Sequence, residues 1–92
     1  YSRSMVLLDE ANALLENDDV EAAKGKCDEA RELNSDDYRI AFLQTNIAIA
    51  QKRWKEAQGF AEETESLYVA YGNERAELED LHTRIEQALG GD

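Results

Sequence analysis

The chain has 92 residues, which is enough for one small domain. Its 21 acidic and 10 basic side chains give a formal charge of −11, and no basic patch is visible. This charge argues against nucleic-acid binding and against an anionic membrane surface. No apolar run approaches the length of a membrane span, so we expect no direct membrane insertion. The single cysteine, Cys27, excludes an intramolecular disulfide and fits a reducing compartment such as the cytoplasm.

The first half of the chain predicts two helices separated by a short turn. Proline is absent and good helix formers dominate, so apolar residues at helical spacing are interpreted as buried faces. The first helix is predicted over about 4–16, with a shared face formed by Leu7, Ala11 and Leu14. The second is predicted over about 20–33 with Asp19 as its N-cap. Its buried stripe consists of Val20, Ala23, Cys27 and Ala30.

The second half predicts three further helices. The third, over about 37–52, is apolar almost all round, and such a helix is typically buried between neighbours. The fourth, over about 53–71, carries one apolar face, formed by Trp54, Ala57, Ala61, Thr64, Tyr68 and Tyr71. Gly72 is the expected stop and Asn73 the expected cap of the fifth helix, over about 74–89. Its narrow stripe of Leu78, Leu81 and Ile85 with a wide polar back is typical of a terminal capping helix.

A pattern returns after 34 residues. Segments 19–33 and 53–67 match in one register, and four pairs are identical: Ala23 and Ala57, Gly25 and Gly59, Glu29 and Glu63, Leu33 and Leu67. A fixed period of this length is typical of stacked helical hairpins. Glycine at the same helical position in both segments indicates either a close backbone approach there or a chance recurrence.

These residues resemble the tetratricopeptide repeat (TPR) family, whose 34-residue unit pairs two antiparallel helices. The first unit, about 4–36, resembles it through Leu7, Ala11, Leu14, Ala23, Cys27, Ala30 and Leu33. The second, about 37–71, is looser and rests on Ala41, Thr45, Ala48, Ala57, Ala61, Thr64 and Leu67. The family's closing proline is absent, with Ser35 and Val69 in its place. The resemblance implies one all-α domain, in which antiparallel helical hairpins stack as a short right-handed solenoid of five helices ending in the capping helix.

In this family the first helix of each unit lines a concave groove. The resemblance therefore implies a partner-binding groove with these inward-facing residues: Leu8, Asn12, Leu15, Arg39, Leu43, Asn46, Asn73, Glu77 and Asp80. Asn12 and Asn46 stand out because an amide offers both a donor and an acceptor to a peptide backbone. The family's carboxylate clamp is not expected, because only Asn12 matches its five positions and Glu77 would repel a carboxylate. The expected ligand is an apolar or basic peptide or helix.

No set of side chains in the sequence predicts catalysis, a cofactor or a metal site. Cys27 lies on a buried stripe, where core packing is the expected role. His82 lies beside the stripe of the fifth helix, and one histidine with one cysteine does not make a zinc site. The acidic pairs lack the glycine-centred spacing of a calcium loop, and no phosphate-binding glycine loop is present. We therefore do not expect an enzyme.

The leading hypothesis is an adaptor or scaffold that holds a protein segment in the groove, with most of the contact made by Leu8, Asn12, Leu43 and Asn46. A second hypothesis is an assembly segment of a larger array that self-associates. Phe60 lies off the buried stripe of the fourth helix and would then be an exposed contact at the joint. A third is a small acidic chaperone that shields an aggregation-prone client.

Overall fold

The computed structural model describes residues 2–67 and 72–90. In these ranges the chain forms α1 (Arg3–Glu16), α2 (Val20–Leu33), α3 (Tyr38–Ala50), α4 (Trp54–Leu67) and α5 (Gly72–Leu89). No strand occurs in the described residues, so the all-α class is confirmed.

The helices pack as successive neighbours. The most extensive contacts join α1 to α2 and α3 to α4, and α2–α3 and α4–α5 follow. Smaller contacts join α1 to α3 and α3 to α5, so α3 touches all four other helices. The central position predicted for α3 is therefore confirmed. Its apolar residues are buried on several sides, as its sequence requires: Ile40, Ala41, Leu43, Ile47, Ala48 and Ile49.

Two hydrophobic clusters form the core, and α3 belongs to both. The first lies among α1, α2 and α3 and consists of Leu7, Leu8, Ala11, Ala23, Cys27, Ala30, Ile40, Leu43 and Ile47. The second lies among α3, α4 and α5 and consists of Ala48, Ile49, Ala57, Ala61, Leu78, Leu81 and Ile85. The fully buried alanines of α2 and α4 let these helices approach α1 and α3 closely, and the larger aliphatic residues fill the remaining space.

The α1–α2 turn is a Schellman motif, which satisfies two carbonyl groups that the helix end leaves open. Asp18 adopts a left-handed backbone with φ 63°, and its N–H donates to the carbonyl of Leu15 at 3.0 Å. The N–H of Asp19 donates to the carbonyl of Leu14 at 2.9 Å. Asp19 precedes α2 as predicted, but its side chain makes no capping bond. The expected side-chain cap is therefore wrong.

The α3–α4 turn repeats this geometry 34 residues later. Lys52 has φ 59°, and its N–H donates to the carbonyl of Ile49 at 2.9 Å. The N–H of Arg53 donates to the carbonyl of Ala48, also at 2.9 Å. Because a left-handed residue cannot continue an α-helix, α3 ends at Ala50 and not at Lys52 as predicted. The period found in the sequence is thus also a period of the backbone.

The two internal glycines have no packing role in the described structure. Gly25 and Gly59 lie on exposed helix surface, and a Cβ atom at either position would meet nothing within 4 Å. The close backbone approach predicted from their recurrence is therefore wrong.

The start of α5 also differs from the prediction. The helix begins at Gly72, so Gly72 is not a stop and Asn73 lies within the first turn. Farther along, Leu78, Leu81 and Ile85 are buried as predicted, and most of the other described side chains of α5 are exposed. The predicted end of α4 at Tyr71, together with Tyr68 and Val69, lies outside the described residues.

A polar network links three helices on surfaces that the groove does not use. Arg31 on α2 donates from Nη1 to Oε1 of Gln44 on α3 at 2.6 Å, and its Nη2 pairs with Glu63 on α4. Gln51, just after α3, donates to Glu21 on α2 at 2.7 Å. These bonds tie the α1–α2 hairpin to the α3–α4 hairpin beside the apolar core.

Candidate functional site

An open groove of about 460 Å³ runs across α1, α3 and α5. Its lining consists of Met5, Leu8, Asp9, Asn12, Arg39, Phe42, Leu43, Asn46 and Glu77. The structure thus brings together six of the predicted site residues: Leu8, Asn12, Arg39, Leu43, Asn46 and Glu77.

The groove has the same 34-residue period as the chain. The lining residues of α1 stand at positions 5, 8, 9 and 12, and those of α3 stand at 39, 42, 43 and 46. Met5 therefore corresponds to Arg39, Leu8 to Phe42, Asp9 to Leu43, and Asn12 to Asn46. The spacing i, i+3, i+4, i+7 describes a single helix face. Glu77 of α5 follows Leu43 by the same 34 residues, so the one lining residue of α5 falls in this register as well.

The apolar part of the groove has a buried floor and a more accessible rim. Leu8 and Leu43 are only 4% and 5% exposed and belong to the first core cluster, so they offer a ligand little surface. The share of the contact expected from these two leucines is therefore small, whereas the share expected from Asn12 and Asn46 stays a prediction. Met5 and Phe42 are half-buried, pack against the core from its edge, and present the apolar surface that a ligand can reach.

Asn12 and Asn46 adopt matching poses. The Nδ2 group of Asn12 donates to the carbonyl of Leu8 at 3.2 Å, and that of Asn46 donates to the carbonyl of Phe42 at 3.1 Å. Each bond spans one helical turn and uses one of the two amide protons. In the part of the chain that the structure describes, neither Oδ1 atom has a hydrogen-bond donor. Each amide therefore keeps an acceptor and a second N–H for a ligand.

The guanidinium group of Arg39 forms an ion pair with the neighbouring Asp37. Its Nε donates to Oδ1 of Asp37 at 2.9 Å and its Nη2 to Oδ2 at 2.6 Å, while Asp37 also caps α3 by accepting the backbone N–H of Arg39. The side-chain hydrogen bond from Arg39 is the main reason that the pKa of Asp37 lies below its usual value. Asp9 has an interaction within the protein as well. Glu77 is exposed, and no hydrogen bond or ion pair is found for it among the described residues.

Two predicted groove residues fall outside the lining. Leu15 is half-buried and packs against the first core cluster, and Asp80 is exposed but does not line the groove. The side chain of Asn73 lies outside the described residues. The error at Leu15 is one of register, because the α3 positions 39, 43 and 46 correspond in α1 to 5, 9 and 12.

Sequence reasoning missed Met5, Asp9 and Phe42, although the 34-residue period contained the signal. Subtracting 34 from the predicted positions Arg39 and Leu43 gives Met5 and Asp9. Adding 34 to Leu8 gives Phe42. Each of the three was identifiable by applying the same register to both hairpins.

Phe60, the predicted assembly contact, is half-buried and packs against the second core cluster. It also lines a small, partly open space of about 20 Å³ beside Gln44, which is room for one water molecule. The expectation of an exposed ring is therefore wrong. The large apolar residues that are exposed in the described structure are Leu33, at 59%, and Leu89, at 38%.

Cys27 and His82 lie in separate parts of the fold. Cys27 is fully buried, its Sγ donates to the carbonyl of Ile40 at 3.6 Å, and burial raises the pKa of the thiol to about 12. His82 lies on α5, with Nε2 at 3.1 Å from Oε2 of Glu65 on α4. The described parts of α2 and α5 do not touch, so the two side chains form no common site.

Of the helices described above, none combines the length and the apolar character that a membrane span requires. The described residues also contain no group of three or more His, Cys, Asp and Glu side chains arranged to hold a metal ion.

In comparisons with known proteins, no family model, no curated protein and no solved structure matches the chain.

Proposed function

We propose that the chain is a protein–protein interaction module that acts as an adaptor or scaffold. Its hairpins α1–α2 and α3–α4 and its capping helix α5 form a short right-handed TPR-like solenoid, and the groove across α1, α3 and α5 holds a segment of a partner protein. The observation that carries the proposal is the groove lining, which uses the same four positions in α1 and α3.

The helix contacts support the solenoid arrangement. The first helices of the two hairpins, α1 and α3, touch each other, and α5 touches α3 in turn. The two hairpins also share an identical left-handed turn at Asp18 and Lys52. The same hairpin geometry used twice in succession is how a solenoid is built. The right-handed sense comes from the TPR resemblance.

A bound segment would make two kinds of contact in this groove. Its side chains would pack on Met5 and Phe42, the apolar residues at the rim. Its backbone would pair with the amides of Asn12 and Asn46, which stand in the same pose on adjacent helices. A hydrogen bond of this kind contributes about 1 kcal/mol net, so the two amides together contribute about 2 kcal/mol.

A peptide-display library selected against the domain tests the proposal. The double variant Asn12→Ala/Asn46→Ala should bind the selected peptides about 30-fold more weakly, which corresponds to about 2 kcal/mol. The matched control is Gln58→Ala/Gln87→Ala, which removes two exposed amides outside the groove and should leave affinity unchanged. Selected peptides that bind both variants equally well would refute groove binding. Substitutions of Leu43 are not suitable for this test, because Leu43 is buried in the core and its replacement would disturb the fold.

Self-association is a second candidate function, and exposed aliphatic residues favour it. Leu33 at the end of α2 is 59% exposed, which is high for a large apolar residue. If this surface joins copies of the chain, the molar mass measured by light scattering will rise with concentration, and Leu33→Ser will abolish the rise. A constant monomer mass across the series would remove this candidate.

A further inference from the structure

The unused hydrogen-bonding groups of the groove are mostly acceptors. The Oδ1 atoms of Asn12 and Asn46 have no donor in the described residues, and the same is true of the Glu77 carboxylate. The strongest donor in the lining, the Arg39 guanidinium, is already bound to both carboxylate oxygens of Asp37. A ligand that complements this groove must therefore bring donors.

The apolar rim of the groove, formed by Met5 and Phe42, and the exposed acid Glu77 lie on different helices. Phe42 on α3 faces the space shared with Met5 on α1, whereas Glu77 lies on α5, one helix farther along. Axes of packed helices stand about 8–10 Å apart. A segment in the extended polyproline II conformation advances about 3.1 Å per residue and presents every third side chain on the same side, so about three residues span the distance from the Phe42 position to the Glu77 position.

We infer that the groove selects an extended partner segment in which a large apolar residue and an arginine or lysine stand about three residues apart, and that Glu77 determines this specificity by receiving the cation. The inference rests on the proposed function and names the chemical class of its partner. The apolar side chain packs on Met5 and Phe42, and the cation pairs with Glu77.

Charge and geometry together favour a cation at this position. An acidic residue of the partner would lie beside Glu77 and Asp9, and like charges brought together at an interface oppose binding. An apolar residue would leave the Glu77 carboxylate without a new donor, and a neutral polar residue would bring a donor without a positive charge. An arginine has five N–H donors in a planar fork and can serve a carboxylate with two of them. The remaining donors are available to Oδ1 of Asn46, an acceptor on α3 that lines the same groove.

The test repeats the display selection with three forms of the full chain: the wild type, Glu77→Arg and Glu86→Arg. Glu86 is the matched control, because it is an exposed acid on the same helix, does not line the groove, and gives the same change in net charge. Circular dichroism and thermal unfolding check that both variants fold. Two synthetic hexapeptides then quantify the preference, with leucine at the second position and either arginine or glutamate at the fifth.

The wild type and Glu86→Arg should select peptides with arginine or lysine three residues from a large apolar residue. They should bind the arginine hexapeptide about tenfold more tightly than the glutamate hexapeptide. Glu77→Arg should reverse both preferences. A wild-type selection without basic enrichment, or an unchanged preference in Glu77→Arg, overturns the inference and leaves the proposed function intact. If no selected peptide depends on Asn12 and Asn46, the proposed function itself fails.

Discussion

Replacing the two internal glycines with alanine should stabilise the domain. Gly25 lies within α2 and Gly59 within α4, both on exposed surface, and an added methyl group meets no atom within 4 Å at either position. The variants Gly25→Ala and Gly59→Ala therefore gain helix propensity without a steric cost. Glycine is about 1 kcal/mol less favourable than alanine in a helix interior, which sets the expected gain per site.

The two gains should add, because the sites lie on different helices with no shared contact. The double variant should therefore gain about 2 kcal/mol in the free energy of unfolding. For a domain of this size, 1 kcal/mol shifts the melting temperature by about 4–8 °C, so the double variant should melt about 8–16 °C higher. Differential scanning calorimetry and urea titration followed by circular dichroism measure the two quantities.

Gly90→Ala is the internal control for this experiment. The added Cβ of that variant would lie 3.0 Å from the backbone carbonyl oxygen of Glu86, closer than an ordinary contact. No gain is expected there, although the substitution is chemically the same. If Gly25→Ala or Gly59→Ala is neutral or destabilising, the two glycines do have a packing role and the open space described around them is wrong.

Three further predictions concern the turns and the titratable groups. Asp18→Gly and Lys52→Gly should each raise the free energy of unfolding by about 1 kcal/mol in urea titrations, because glycine relieves the left-handed backbone; unchanged midpoints would contradict this. Cys27, with its pKa raised from 9.0 to about 12 and its side chain fully buried, should react with iodoacetamide at pH 8 at least about 1000-fold more slowly in the native protein than in guanidinium, and comparable rates would show the thiol to be accessible. Asp37 has a lowered pKa, so its contribution to stability is present above about pH 4 and is lost as the pH falls through the folded-state value. The stability advantage of the wild type over Asp37→Asn should therefore shrink in acid, and a constant difference from pH 7 to pH 2 would contradict the pairing with Arg39.

The sequence predicted the helices well where an apolar period and a polar turn coincide. The bounds of α2 are those predicted, because its buried stripe from Val20 to Ala30 lies between two polar turns. The prediction failed where backbone conformation decided the boundary. The side-chain type of Lys52 does not indicate a left-handed backbone, yet this conformation ends α3 at Ala50, two residues before the predicted end.

The groove was predictable in part, because helix register says which face a residue occupies but not how deeply it is buried. Leu8 and Leu43 lie on the predicted face, yet both are buried in the first core cluster, which lies among α1, α2 and α3. The sequence predicted that Phe42 is buried, like the other apolar residues of α3. Its half-buried position depends on the packing of α1 and α5 around α3, which is a property of the assembled fold.

The membership of α3 in both hydrophobic clusters couples the unfolding of the two halves of the domain. Stacked-repeat chains often lose their units one at a time, because each unit contacts only its neighbours. Here the unfolding of either α1–α2 or α4–α5 exposes one side of α3, since α3 supplies Ile40 to the first cluster and Ile49 to the second. Because either loss exposes buried apolar surface of α3, the two halves should melt as one cooperative unit, and amide hydrogens of α1 and α5 should report the same opening transition.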